Sequence, residues 1–430
     1  MFRTELTIVC VAIGVILSAT ISSAEDEFEL PPIEYSKSTP DNAISRLQSR
    51  LDAGDEKLPY DAQHGYLPAL LDALGIPVES QMLVFSKTSM QRSRISPRTP
   101  RAIYFNDEAY VGYCHAGEVI EVADADPKLG PVFYTLDQQE APRPALQRQT
   151  NSCMQCHAST QFDGIPGLLA RSVFVGASGL PMLSEGSHRV DHTTPLKDRW
   201  GGWYVSGTHG DQPHLGNLII RDQEVVRPFH NDEGLNVTDL SDRFRIDNYL
   251  TPHSDLVALM VFEHQLLVHN AITKANFETR RALHYETELN RALGEPENNR
   301  LESTTRRIRN VGDTLLEALL FSEEAKLTGP IAGTTAFAEK FSQQGLRDGA
   351  GRSLRDFDLK TRMFKYPCSY LIYSTAFDGL PEAVKSYVAS RLRNVLLGTD
   401  RDEAFWHLSA EDRRAILEIL NETKPDLWNQ

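Results

Sequence analysis

The run Cys153-Met154-Gln155-Cys156-His157 constrains this chain more than any other stretch of it. Two thiols three residues apart lie on nearly one side of a helical turn. From there they can add to the two vinyl groups on one edge of a haem, and the next residue, His157, can reach the iron as proximal axial ligand. With 5 Cys and 13 His in 430 residues, roughly 0.002 such runs arise by chance. A fold that carries this run must therefore build a cavity large enough to cover a porphyrin ring. Two other readings stay open. A redox-active dithiol needs only the two cysteines, and a closed zinc site needs two further Cys or His ligands. His188 and His192 have one suitable spacing.

The amino terminus agrees with haem chemistry. Arg3 is followed by an uncharged apolar run over residues 8–17, then by Ser22-Ser23-Ala24. This pattern predicts a signal peptide over residues 1–24, cut after Ala24, and an exported, periplasmic protein. Cys10 leaves with it. An uncleaved anchor is the alternative, although the run is short for a bilayer span. Elsewhere residues 255–272 are the most apolar, but they carry Glu263, His264, Gln265 and His269. No stable membrane span is expected after cleavage.

A net charge of −15 argues against nucleic acid or an anionic membrane as partner. The hydrophobic share of 41 % and charged share of 24 % are those of a globular chain. Four cysteines remain after cleavage, and Cys114 and Cys368 read either as a disulfide or as two buried thiols.

Pattern along the chain predicts an α+β fold, with a β-rich haem-binding region followed by a mainly helical one. Residues 25–38 are acidic and Pro-containing and read as a flexible leader; 25–100 adds short helices, one capped at Thr39-Pro40 and one over 66–74. Residues 86–101 form a basic island with Lys87, Arg92, Arg94, Arg98 and Arg101, either a solvated loop or a holder of haem propionates. Over 101–250 short aromatic and β-branched runs predict strands at 103–105, 109–113, 119–122, 132–136, 172–175, 202–205 and 217–220. Over 251–430 helices are expected from Thr251-Pro252 to at least 274, and over 307–320, 380–397 and 410–420, the last with a capping box at Ser409 and Asp412.

The iron's second axial position is less legible. His192 and Met182 are the leading candidates, followed by His209 and His214; Met260 and His264 share a helix face but suit a core. An open position is the remaining option. Trp200, Trp203 and Tyr204 could cover a haem edge, with Arg199 or Arg171 on a propionate.

The motif with its export signal resembles the c-type cytochromes. The whole chain looks like a large exported bacterial single-haem protein. It departs from di-haem peroxidases, which carry two such motifs, and from class I cytochromes c, since no clear Met loop follows at the usual distance. Residues 1–100 and 251–430 match no cytochrome module. The resemblance implies one covalent haem c on Cys153 and Cys156, His157 on the iron, and electron transfer to a redox partner protein. A haem enzyme or small-ligand sensor with an open iron position is the alternative, and a zinc-binding protein a more distant one.

Overall fold

Short runs rich in Val, Ile, Tyr and Phe, separated by tight turns, build one antiparallel sheet. A computed structural model describes residues 27–159, 162, 164–221 and 231–429, so the expected signal peptide lies outside the described residues. Two helices, α1 (Ala43–Ala53) and α2 (Leu67–Ala73), precede the strands β1 (Met82–Val84), β2 (Arg101–Phe105), β3 (Ala109–Cys114), β4 (Val119–Asp126), β5 (Gly130–Asp137) and β6 (Leu146–Gln149). These six form a meander. The one-turn helix α3 (Met154–His157) and the small β7–β8 hairpin (Arg171–Val173, Ser187–Arg189) follow, before β9 (Trp203–Tyr204) returns to pair with β1. The seven-stranded order is β6-β5-β4-β3-β2-β1-β9. Strand β10 (Gly207–Thr208) pairs with β11 (Ala332–Gly333) apart from that sheet.

The second half is mainly helical. Helix α4 (Leu256–Leu293) is followed by α5 (Glu302–Leu319), α6 (Phe337–Gln343), α7 (Thr375–Asp378), α8 (Glu382–Leu396) and α9 (Ala410–Thr423). Helix α4 packs on β5 and α5, α8 on α5, and α9 on α8. The α+β expectation thus holds, strands first and helices mostly after. Helix α4 is long and apolar enough to cross a membrane, yet 89 % of its most apolar window is buried inside the protein, as in a core helix. One cluster of buried apolar side chains runs from Phe28 to Leu427 and draws on every part of the described chain.

Several local expectations shift for identifiable reasons. Helix α1 starts after Asn42, whose side chain and that of Ser45 cap each other's backbone, three residues beyond the cap expected at Thr39. The leader is packed: Phe28, Ile33 and Tyr35 are buried, and the Tyr35 hydroxyl donates to Pro131 O at 2.8 Å. Helix α4 begins at Leu256 because Asp255, not Thr251, caps it, accepting from Val257 N and Ala258 N. Residues 217–220 form no strand. Asn217 takes φ +67°, and its side-chain amide pairs with both Val205 N and Val205 O, doing in one residue what a strand neighbour does. The capping box at Ser409 and Asp412 is present.

Candidate functional site

The turn of α3 sets the spacing of its reactive groups. His157 N donates to Cys153 O at 3.0 Å, closing one helical turn across the motif. Cys153 is half-buried, Cys156 exposed, and both line one cavity of about 410 Å³ together with His157. That volume lies in the range of cofactor and small-molecule sites.

The floor is one face of the sheet. Side chains alternate across strands, so two cross-strand rows face the cavity. Ile103, Gly112 and Glu121 form one row; Tyr110, Ala123 and Phe133 form the other. The two small residues at the middle of these rows leave a hollow. A Cβ on Gly112 would overlap the Arg101 guanidinium, which lies over this glycine to pair with Glu121. Phe262 and Leu266 of α4 and Trp203 of β9 form another wall. The loop after the motif is tied to α4, since Asn270 exchanges two hydrogen bonds with the backbone of Leu168 at 2.7 and 2.8 Å.

His157 is oriented before any ligand arrives. Its Nδ1 lies 2.8 Å from Gly167 O, and a carbonyl only accepts, so Nδ1 carries the proton. Gly167 N in turn donates to His157 O at 2.7 Å. The Nε2 lone pair is therefore the free one, and among the described residues it has no hydrogen-bond partner. Burial holds the imidazole below the ordinary histidine range, and the neutral form is the one that ligates a metal. The Phe133 ring packs 4.5 Å from it, centre to centre. Burial also pushes the Cys153 thiol up to about 11.

Polar groups gather at one side of the hollow. Glu121 pairs with Arg101 and accepts from Ser89 Oγ at 2.9 Å and Gln91 Nε2 at 3.1 Å. Arg101 Nε is buried without a partner among the described residues. Arg171 also lines the cavity, its Nε donating to Ser187 Oγ at 3.1 Å.

The other expected residues lie elsewhere. His192 is buried against His264, with their Nδ1 atoms 2.8 Å apart, and His264 Nε2 is 2.8 Å from Ser369 Oγ. Arg199 is buried too, paired with Glu263 at 2.9 Å and donating to Thr194 O and His192 O. His209 and His214 face each other at 3.1 Å. Neither these groups nor Met182 and Met260 line the cavity. Tyr204 points away, its hydroxyl on Pro97 O. Of the basic island, Arg101 faces the cavity while Arg92, Arg94 and Arg98 are exposed. Cys114 and Cys368 are separate buried thiols, both pushed up to about 12 by burial, so the disulfide alternative is not realised. Sequence reading did not single out Met90, Tyr110, Glu121 or Phe133, which all line the cavity.

The residues present fit a c-type haem. Two thiols stand at the cavity, a pre-oriented imidazole lines it, apolar walls suit the ring, and Arg171 suits a carboxylate. Among the described residues no group of three or more His, Cys, Asp or Glu is placed to hold a metal ion, so Cys153 and Cys156 lack the partners of a closed zinc site. The chain matches no family model, and no curated protein or solved structure matches it.

Proposed function

We propose that this chain is an exported single-haem c-type cytochrome that passes electrons to a redox partner protein. The observation that carries the reading is that His157, with its Nδ1 held by Gly167 O and its Nε2 free among the described residues, lines one cavity with both motif thiols. A bound haem supplies one-electron ferric–ferrous chemistry. The residues do the rest. Cys153 and Cys156 would hold the haem through thioethers, each S–H adding across one vinyl group with no leaving group. Gly167 O fixes the His157 ring and raises the basicity of its Nε2. Arg171 would face a haem carboxylate, Arg101 keeps its charge on Glu121, and the sheet face, Phe262 and Leu266 would keep water from the ring.

The test is mass and staining of the protein made with a cytochrome c maturation system. The mature chain should be heavier by one haem, and Cys153→Ala with Cys156→Ala should abolish haem staining after denaturing electrophoresis. A wild-type chain of bare polypeptide mass would sink the proposal. The alternative, a haem enzyme or small-ligand sensor, draws on one observation: among the described residues His157 is the only imidazole at the cavity. It requires a high-spin ferric spectrum and ready uptake of carbon monoxide.

A further inference from the structure

Met90 is the one methionine of the described chain that the fold leaves largely uncovered. It is 61 % exposed, whereas Met82, Met154, Met260 and Met363 are 0 %, 7 %, 3 % and 1 % exposed. A thioether side chain normally fills gaps in a core. Here the backbone on either side of it is pinned while the side chain projects. Ser86 N donates to Gly202 O at 3.0 Å, and Lys87 N to Gly179 O at 2.9 Å. Ser89 Oγ and Gln91 Nε2 hold Glu121, and Gln91 also bridges Val119 O and Glu118 N at 3.0 Å each. This anchored loop carries Met90 to the same cavity that His157 lines.

We propose that Met90 is the second axial ligand of the haem iron, with Sδ as the ligating atom. The inference rests on the haem reading above and deepens it. The other lining groups able to bind iron are already engaged. The Tyr110 hydroxyl is 2.8 Å from His269 Nδ1 and accepts from Gln265 Nε2, and the Tyr134 hydroxyl is bonded to Asn42. Glu121 is paired with Arg101, and the two cysteines are consumed by thioether formation. Sulfur of a thioether is a soft, neutral donor suited to haem iron, and a His/Met pair raises the reduction potential. A closed, six-coordinate iron suits electron transfer and argues against the open-site alternative.

The experiment uses the full-length holoprotein and its Met90→Leu variant, which keeps the bulk and removes the sulfur. Haem content by pyridine haemochrome and mass tests the haem reading alone and should be equal in the two; a wild type without haem overturns that reading and this inference together. In the ferrous wild type, the methyl proton signal of a ligated methionine should appear far upfield, shifted by the ring current. In Met90→Leu that signal should vanish, the ferric spectrum should turn from low to high spin, carbon monoxide should bind faster, and the potential should fall. Haem-loaded wild type without the upfield methyl, or a Leu variant with wild-type spin state and potential, overturns the assignment while leaving the haem in place. If the Leu variant unfolds, Met90→His decides: a low-spin bis-imidazole spectrum supports the assignment, and a high-spin one refutes it.

Discussion

Replacing Asp124 by asparagine should make the protein's stability much less sensitive to pH. Asp124 sits on β4 and is 1 % exposed. Its Oδ2 accepts from Ile44 N at 3.2 Å, at the start of α1, while Oδ1 is buried without a partner among the described residues. Burial, reinforced by the nearby carboxylates of Glu108 and Asp126, raises its pKa from 3.8 to about 7. A carboxyl with a raised folded-state pKa binds more protons folded than unfolded between those two values. Its contribution is fully present below pH 3.8 and is lost as pH climbs through about 7. At about 1.4 kcal/mol per unit, a separation of roughly three units corresponds to about 4 kcal/mol over that window. Asparagine is nearly isosteric, can still accept from Ile44 N, and never ionises. Urea unfolding followed by far-ultraviolet circular dichroism, at half-unit steps from pH 4.5 to 8, would compare the two. The stabilities should be similar near pH 4.5, with the variant ahead by several kcal/mol at pH 8. Parallel curves for wild type and Asp124→Asn would refute the reasoning, whatever other groups titrate, since those are common to both.

Other perturbations follow from the same contacts. Arg199→Met leaves Glu263 buried without its cation, and should cost about 3–5 kcal/mol in unfolding free energy; adding Glu263→Leu should recover a good part of this, measured by chemical denaturation. Gly112→Val should push Arg101 off Glu121 and fill the hollow of the sheet, so haem incorporation, measured per polypeptide by haemochrome, should fall severalfold while a folded circular dichroism spectrum is retained. Tyr110→Phe removes the side-chain partner of His269 and one of the partners of Gln265, and should cost about 1–3 kcal/mol in the same unfolding assay.

Much of the sheet was legible because its strands alternate and are separated by turn residues at short range. Strands β2 to β5 fall where the aromatic and β-branched runs stand, extended by one to four residues at their ends. The motif was legible because its five residues are contiguous. What pairs with it was not. Met90, Arg101 and Glu121 reach the cavity only because the meander brings the loop before β2 and the middle of β4 to one side of the sheet. No local pattern marks such a meeting. The histidines near the motif in sequence misdirect for a related reason: His192 meets His264 of α4 in the core, and His209 and His214 pair in a loop. Asp255 shows the same limit at smaller scale. Its carboxylate caps α4 and also accepts from Thr334 N and Thr335 N, a demand set far along the chain.

The cavity wall has an order of arrival. Val84, the sheet rows and the motif all precede Phe262 and Leu266, which close the wall from α4. A chain is made amino end first, so for an interval Cys153, Cys156 and His157 exist without the helix that later covers them. During that interval a bulky, flat reactant meets no gate. Once α4 docks, Phe262 and Leu266 cover one side of the cavity, while Cys156 and Met90 stay exposed on it. On the haem reading proposed above, a ring that arrives after folding would enter along the exposed side of the cavity, past Cys156 and Met90.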